Sequence, residues 1–236
     1  MKSKLSYVSF FLVAVIVASF IFNQPHKYPV TEQIIERKGY SLCYNYARRQ
    51  PIWVYERLTV ENLEGNASRN GIKFKVDTLI PALFRVANSD YKGSGFDRGH
   101  LCPAGDLCSN QNDKSESFYL SNISPQTPEF NRVYWLKLEK HVRELTRRFK
   151  VLQVYSGCAY LPIEGEGGGS YVEYKVIGKN TVSVPTHYFK VILSKGGELI
   201  EAYILPNKDI NFDKPLGDFR TTIEKVERVA GVLFSR

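Results

Sequence analysis

Asp97-Arg98-Gly99-His100 is the stretch of this 236-residue sequence whose residue types lend themselves most directly to chemistry. Histidine has an ordinary pKa of about 6.5, so a neutral imidazole is present at pH 7 to take a proton from water. Arg98, two residues earlier, offers a planar fork of donors to a phosphate and to charge developing on it. Gly99 would allow a close approach of backbone to a ligand. Taken alone, the tetrad also fits a structural histidine with satisfied hydrogen bonds.

A second group follows. Ser121-Asn122-Ile123-Ser124-Pro125-Gln126 leads into Phe130-Asn131-Arg132. Asn131 carries a neutral carbonyl oxygen, a donor that suits Mg²⁺, which prefers oxygen and keeps several waters. On a helix, Glu139 would project roughly 80° around the axis from Asn131, two turns on. Glu139 and Arg143 then form an i,i+4 pair on one face. The competing reading makes Asn131 a helix cap and Glu139–Arg143 a surface ion pair.

These residues need elements to hold them. Val133, Leu136, Leu138, Val142, Leu145 and Phe149 recur mostly at three- and four-residue steps, which predicts a helix over 131–149. Arg147, Arg148 and Lys150 at its end suit the helix dipole. Runs rich in β-branched and aromatic residues predict strands at 52–59, 117–123, 151–156, 171–176, 187–193 and 199–205. Polar or Gly-rich loops fall at 63–70, 88–95 and 162–170, and a C-terminal helix at 217–230. Runs of strands with two substantial helices point to an α+β fold.

The chain has 32 Lys+Arg against 24 Asp+Glu, a net +8, with 43% hydrophobic and 13% aromatic residues. That composition supports one cored domain and excludes a disordered acidic tail, a collagen-like repeat or a polytopic membrane protein. The basic excess favours a polyanionic partner, nucleic acid or an anionic membrane surface. Residues 5–22 carry no charge and follow Lys2 and Lys4, so 1–23 reads as a signal anchor or signal peptide, with a membrane as partner through 5–22. Residues 24–39 read as a linker and 40–236 as the domain. Beyond residue 23, 30 basic side chains face 24 acidic ones, so the excess belongs mostly to the domain. Cys43, Cys102, Cys108 and Cys158 permit up to two disulfides or four free thiols. Lys2 and Lys4 nearly balance Lys27, Arg37 and Lys38 across the apolar run, so charge does not fix orientation. The N-terminal position puts the bulk of the chain outside the cytoplasm.

Together, Asp97-Arg98-Gly99-His100, Tyr119-Leu120-Ser121-Asn122-Ile123-Ser124-Pro125-Gln126, Asn131 and Glu139 resemble the DNA/RNA non-specific endonuclease family. The stretches Val176–Asn180, Val184–Val191 and Ala202–Asn207 resemble its endonuclease G branch. The resemblance spans roughly residues 40–235. It implies a central antiparallel sheet flanked by helices, with a ββα-metal (His-Me finger) site. It also implies a Mg²⁺-dependent, sugar-non-specific endonuclease that leaves 5′-phosphate ends on DNA and RNA, with Mn²⁺ able to replace Mg²⁺. The alternative is a nucleic-acid-binding module on the same fold that has lost catalysis. The implied roles are His100 as general base and Asn131 as direct metal ligand. Glu139 would hold a metal-bound water, and Asn122 would orient the His100 segment or the metal waters. Arg69, Arg98 and Arg143 would contact substrate, while Asp97 would order the turn. Relatives of this kind are often homodimers. A bacterial envelope and a mitochondrial intermembrane space both fit, and the lack of an Arg/Ser-rich amphipathic leader favours the envelope. Cys102 and Cys108 flank the segment after His100, where a disulfide would stiffen the loop; two unpaired thiols fit equally.

Overall fold

In a computed structural model, residues 28–165 and 167–234 are described. The chain separates into two units, Met1–Thr31 and Glu32–Arg236, and every element named below belongs to the second. The apolar run 5–22, and the whole segment 1–23, lie outside the described residues. Among those residues no helix is long and apolar enough to cross a membrane.

The longer strands are β1 (Glu32–Glu36), β2 (Ser41–Asn45), β3 (Gln50–Thr59), β4 (Asp97–His100), β5 (Ile123–Gln126), β6 (Val151–Ala159), β7 (His187–Ser194) and β8 (Leu199–Pro206). Six of them form one sheet in the order β1-β2-β3-β6-β7-β8, every neighbouring pair antiparallel. β1 pairs along its whole length with β2, so about a third of the stretch read as a linker, 24–39, is instead an edge strand of the domain. In β7, Tyr188 through Leu193 are all buried, which requires cover on both faces. Tyr188 and Ile192 pack into one core with Leu138, Val142 and Leu145. Phe189, Val191 and Leu193 pack into a second core with Ile223 and Val226.

The covering helices are α2 (Leu136–Phe149) and α3 (Ile223–Ala230); a shorter helix, α1 (Gln111–Glu116), precedes β5. α2 is entered through a π-helical turn over Phe130–Trp135. Phe130 and Trp135, five residues apart, are both buried, and only the wider turn puts them on one side. The apolar positions inferred for the start of this helix were therefore out of phase: Tyr134 and Trp135 face the core while Val133 is exposed. α3 starts at Thr222, whose hydroxyl accepts from Lys225 N at 3.2 Å, and a 3₁₀ turn over Leu216–Phe219 replaces the first part of the helix expected at 217–230.

Two strand expectations change. Residues 117–123 are not a strand: a 3₁₀ turn over Leu120–Asn122 intervenes, and β5 begins only at Ile123. The run 171–176 splits into Ser170–Tyr171, paired with Ile163–Glu164, and Val176–Ile177, paired with Val182–Ser183. All four cysteines are free. The Cys102 thiol donates to the Glu56 carboxylate at 3.4 Å and the Cys108 thiol to Gly105 O at 3.2 Å, so the Cys102–Cys108 bridge is not formed.

Candidate active site

β4 and β5 form a short ribbon that delivers the tetrad. Their register places Asp97 opposite Gln126, Gly99 opposite Ser124 and His100 opposite Ile123. A Cβ on Gly99 would lie 2.1 Å from the Gln126 side chain, which is fully buried. Gly99 is thus needed for the ribbon to close on Gln126, not for a ligand to approach the backbone.

Asn122 is buried beneath this ribbon and does not line the site cavity. Its Oδ1 accepts from Cys102 N at 2.9 Å, while its Nδ2 donates to Cys102 O at 3.0 Å and Ser117 O at 2.8 Å. Two of its three hydrogen bonds go to the backbone of Cys102, two residues after His100, and the third to Ser117. Of the two roles implied for Asn122, this geometry fits the first, orienting the His100 segment.

The His100 ring is wedged between aromatic neighbours, 5.5 Å from the Phe74 ring and 4.8 Å, edge to face, from Phe118. Trp135 Nε1 donates to the His100 carbonyl at 3.2 Å, tying β4 to the π turn. The ring Nε2 is buried with no hydrogen-bond partner. Burial first, and the Arg69 guanidinium second, push the His100 pKa down to about 3, which keeps the ring neutral.

Asn131 is the second residue of the π turn, and its N–H already donates to Thr127 O at 2.9 Å, so it does not cap the helix. Its Nδ2 donates to Asp97 at 2.9 Å, which fixes the flip of the amide and leaves the carbonyl oxygen uncommitted. Arg132 closes on the same carboxylate with two bonds of 2.7 Å. Partial burial works to raise the Asp97 pKa, but the bonds from Arg132 and Asn131 outweigh it and hold the group below its usual value. Asp97 therefore orients Asn131 and Arg132.

Glu139 and Arg143 do not form the surface pair of the competing reading. Arg143 bonds instead to buried Asp106, Nη1 to Oδ1 at 2.7 Å. Glu139 lines the same cavity, and burial followed by the Asp106 charge raises its pKa to about 7. Arg69, Arg98, His100, Asn131, Glu139 and Arg143 together line one cavity of about 460 Å³. Arg98 is held there by a bond from Nη2 to Asn88 O at 3.1 Å, and Arg69 lies over the Phe118 ring at 5.6 Å.

Several contributors were not read from the sequence. Arg132 and Lys114 also line the cavity, and Lys114 Nζ donates to Ala104 O at 2.5 Å. Beneath the cavity, buried Glu56 and Lys190 reach under the site from the sheet. Lys190 Nζ donates to Ser156 Oγ at 2.5 Å and lies 4.8 Å from the Trp135 ring centroid. Burial, then the Asp106 charge, raises the Glu56 pKa to about 8. The signal available was a lysine in the middle of a β-branched strand, which a pattern of alternating faces absorbs without remark.

Among the described residues no three His, Cys, Asp or Glu side chains gather as a metal cage. What is present is one free amide oxygen and one carboxylate with a raised pKa in a polar cavity. That donor set fits a hard, largely hydrated divalent cation, which takes one or two protein oxygens and keeps its waters. A soft-metal site would need thiolates or several imidazoles, and the cavity wall offers only the His100 ring.

A profile of the DNA/RNA non-specific endonuclease family matches residues 19–236. Bovine endonuclease G is 42% identical over 209 residues, covering 87% of this chain and 70% of that protein. Nuclease C1 of Cunninghamella echinulata var. echinulata is 43% identical over 206 residues, covering 85% and 81%. A chain from the crystal structure of the EndoG/EndoGI complex superposes with a TM-score of 0.83 at 43% identity, covering 88% and 87%. The fold is that of a nuclease, and the chain belongs to the DNA/RNA non-specific endonuclease family. Within that family it is of the endonuclease G type.

Proposed function

We propose that this chain hydrolyses phosphodiester bonds of both DNA and RNA with Mg²⁺, or Mn²⁺ in its place, leaving 5′-phosphate ends. The observation that carries this reading is the meeting of Arg69, Arg98, His100, Asn131, Glu139 and Arg143, from separate segments of the chain, around one cavity. His100 takes a proton from water at its unpartnered Nε2. A phosphate docking beside Arg69 offsets the charge that helps depress the His100 pKa, so the base strengthens as substrate arrives. Arg98, Arg143 and Arg69 neutralise phosphate charge. Asn131 through its free amide oxygen, and Glu139 through a water, are the residues that would hold the cation. When bound, the cation supplies charge stabilisation at the phosphodiester oxygens. Such contacts touch backbone and sugar-phosphate rather than base edges, which accounts for weak sequence preference.

The test is incubation of the full chain with supercoiled plasmid and with RNA, in Mg²⁺ or in EDTA. Both substrates should be degraded only with the metal, and His100→Ala and Asn131→Ala should each abolish nearly all cleavage. Wild-type protein that shifts DNA on a gel but leaves both substrates intact across several divalent metals would establish the binding module instead. The compartment is inferred from kinship: endonuclease G and EXOG relatives are named mitochondrial, which supports a mitochondrial location over the bacterial envelope. Imaging of a fluorescent fusion of the full chain tests it. A homodimer would show twice the chain mass in light scattering.

A further inference from the structure

A second cavity, of about 400 Å³, runs along α2 and meets the catalytic cavity at Arg132 and Leu136, which line both. Its charged wall has three cations, Arg132, Lys137 and Lys140, against the single carboxylate of Glu144. Lys137 Nζ donates to Phe212 O at 2.6 Å and Lys214 O at 2.9 Å. Both partners are carbonyls, so the bonds fix the ammonium without neutralising it. Lys140 is exposed and forms no ion pair among the described residues. Arg132 is already engaged by Asp97.

The apolar part of this wall is as telling as the charged part. Phe212 is 58% exposed, and the Lys137 ammonium lies 4.8 Å from its ring centroid. Val133, on the adjoining turn, is 40% exposed. A large ring held at the surface by a pinned lysine, beside a second lysine in no ion pair among the described residues, provides a π face and phosphate-binding charge within one groove. These are the two elements by which proteins hold single strands without reading their sequence.

We propose that this groove is a subsite for a single-stranded stretch of the nucleic acid flanking the bond to be cut, with phosphates against Lys140 and Lys137 and one base stacked on Phe212. The inference rests on the nuclease reading for its direction, because the groove opens from the catalytic cavity. The groove gives long substrates an affinity that a bare phosphodiester lacks. It leaves the chemistry at His100 untouched.

The experiment uses the full chain and two substrates. One is a fluorescein-labelled 20-nucleotide single-stranded DNA; the other is bis(p-nitrophenyl) phosphate, a diester with no flanking nucleotides. Anisotropy in EDTA reads binding without cleavage, and Mg²⁺ assays read KM and kcat. Phe212→Ala and Lys140→Gln should each weaken 20-mer binding about 5- to 10-fold and raise its KM with kcat unchanged. Hydrolysis of the small diester should match wild type in both. Lys140→Gln should also lower the slope of log Kd against log salt by about 0.7, the share of one single-strand phosphate contact. Phe212→Trp, which keeps a stacking face, should restore binding to the Phe212→Ala loss. Unchanged 20-mer affinity and slope in both variants would overturn the subsite. Equal losses on the 20-mer and the small diester would also overturn it, because the residues would then act on the catalytic cavity or the fold. If wild type hydrolyses neither substrate while the variants still lose 20-mer affinity, the groove stands and the nuclease reading falls.

Discussion

On the face of β7 toward α3, Phe189, Val191 and Leu193 pack with Ala159, Ala202, Ile223 and Val226, and every side chain is apolar. On the face toward α2, Lys190 sits between Tyr188 and Ile192, opposite Ser156 on β6. Glu56 is buried on β3 nearby and, like Asp106, feels the Lys190 charge. One strand thus serves two kinds of interior. The α3 face is what burial of apolar area alone would select. The α2 face keeps charges that are expensive to desolvate, and a buried ion pair is weak evidence for stability. What that face supplies is position: Lys190 underlies Trp135, Trp135 holds the His100 carbonyl, and Asp106 fixes Arg143. The α2 face gives up stability for a site whose polar groups cannot drift.

The most forceful test of that contrast removes His100, the group we propose as base and which the α2 face serves. His100→Ala should lower the cleavage rate on plasmid DNA by about 10³-fold, within the usual range for a general base, while the urea midpoint stays near wild type or rises. A rise is allowed because the buried Nε2 of His100 has no hydrogen-bond partner, so the substitution removes an unsatisfied polar atom. A variant that loses activity only in proportion to lost folded protein would erase the distinction between site and scaffold.

Lys190→Met comes next. It fills the space but strips Glu56 and Asp106 of a compensating charge, and breaking a buried charge network in this way costs roughly 3 kcal/mol. Urea unfolding should show that loss, and the double variant Glu56→Gln/Lys190→Met should recover most of it. Activity of the double variant should stay depressed, since the ammonium under Trp135 is gone. If the single variant is as stable as wild type, the two faces are energetically alike and the contrast fails.

Val191→Ala on the opposite face is the control. Two lost methyl groups and the resulting cavity cost roughly 2 kcal/mol. Turnover per folded molecule should not change. A kcat shift there would mean that the α3 face also positions the site.

The same division explains what the sequence disclosed. That His100, Asn131 and Glu139 belong together was legible because short segments carry them with characteristic neighbours, and the strands at β3, β6, β7 and β8 because β-branched runs mark them. The π turn was not legible: apolar residues at 133 and 136 fit an ordinary helix equally well, and only the joint burial of Phe130 and Trp135 selects the wider turn. The partners Asp106 to Arg143 and Asn131 to Asp97 are separated by 37 and 34 residues, and no local pattern links them. β1 was missed because two prolines and a low apolar content preceded it, and an edge strand needs only one paired side and little burial. Gly99 was misread for a similar reason: its necessity comes from Gln126, 27 residues away across the ribbon.

The smallest effect is a pH dependence that the α2 face alone should produce. Burial raises the folded-state pKa of Glu56 to about 8 and that of Glu139 to about 7, well above the ordinary carboxylate range. A raised pKa means the folded state binds more protons than the unfolded chain, so this contribution to stability is full at low pH and is lost as pH rises through the folded values. His100 works the other way. Its pKa is depressed to about 3, so its cost to the fold appears only as pH falls below its ordinary value of 6.5. Between about pH 7 and 8 the imidazole is largely neutral in both states and the two carboxyls dominate the change. In metal-free buffer the unfolding free energy should therefore fall by about 1 kcal/mol across that window. Glu56→Gln should flatten most of the decline, whereas Val191→Ala should shift the whole curve down without changing its slope. A decline that survives Glu56→Gln undiminished would place the titrating charge elsewhere and remove the α2 face's claim to it.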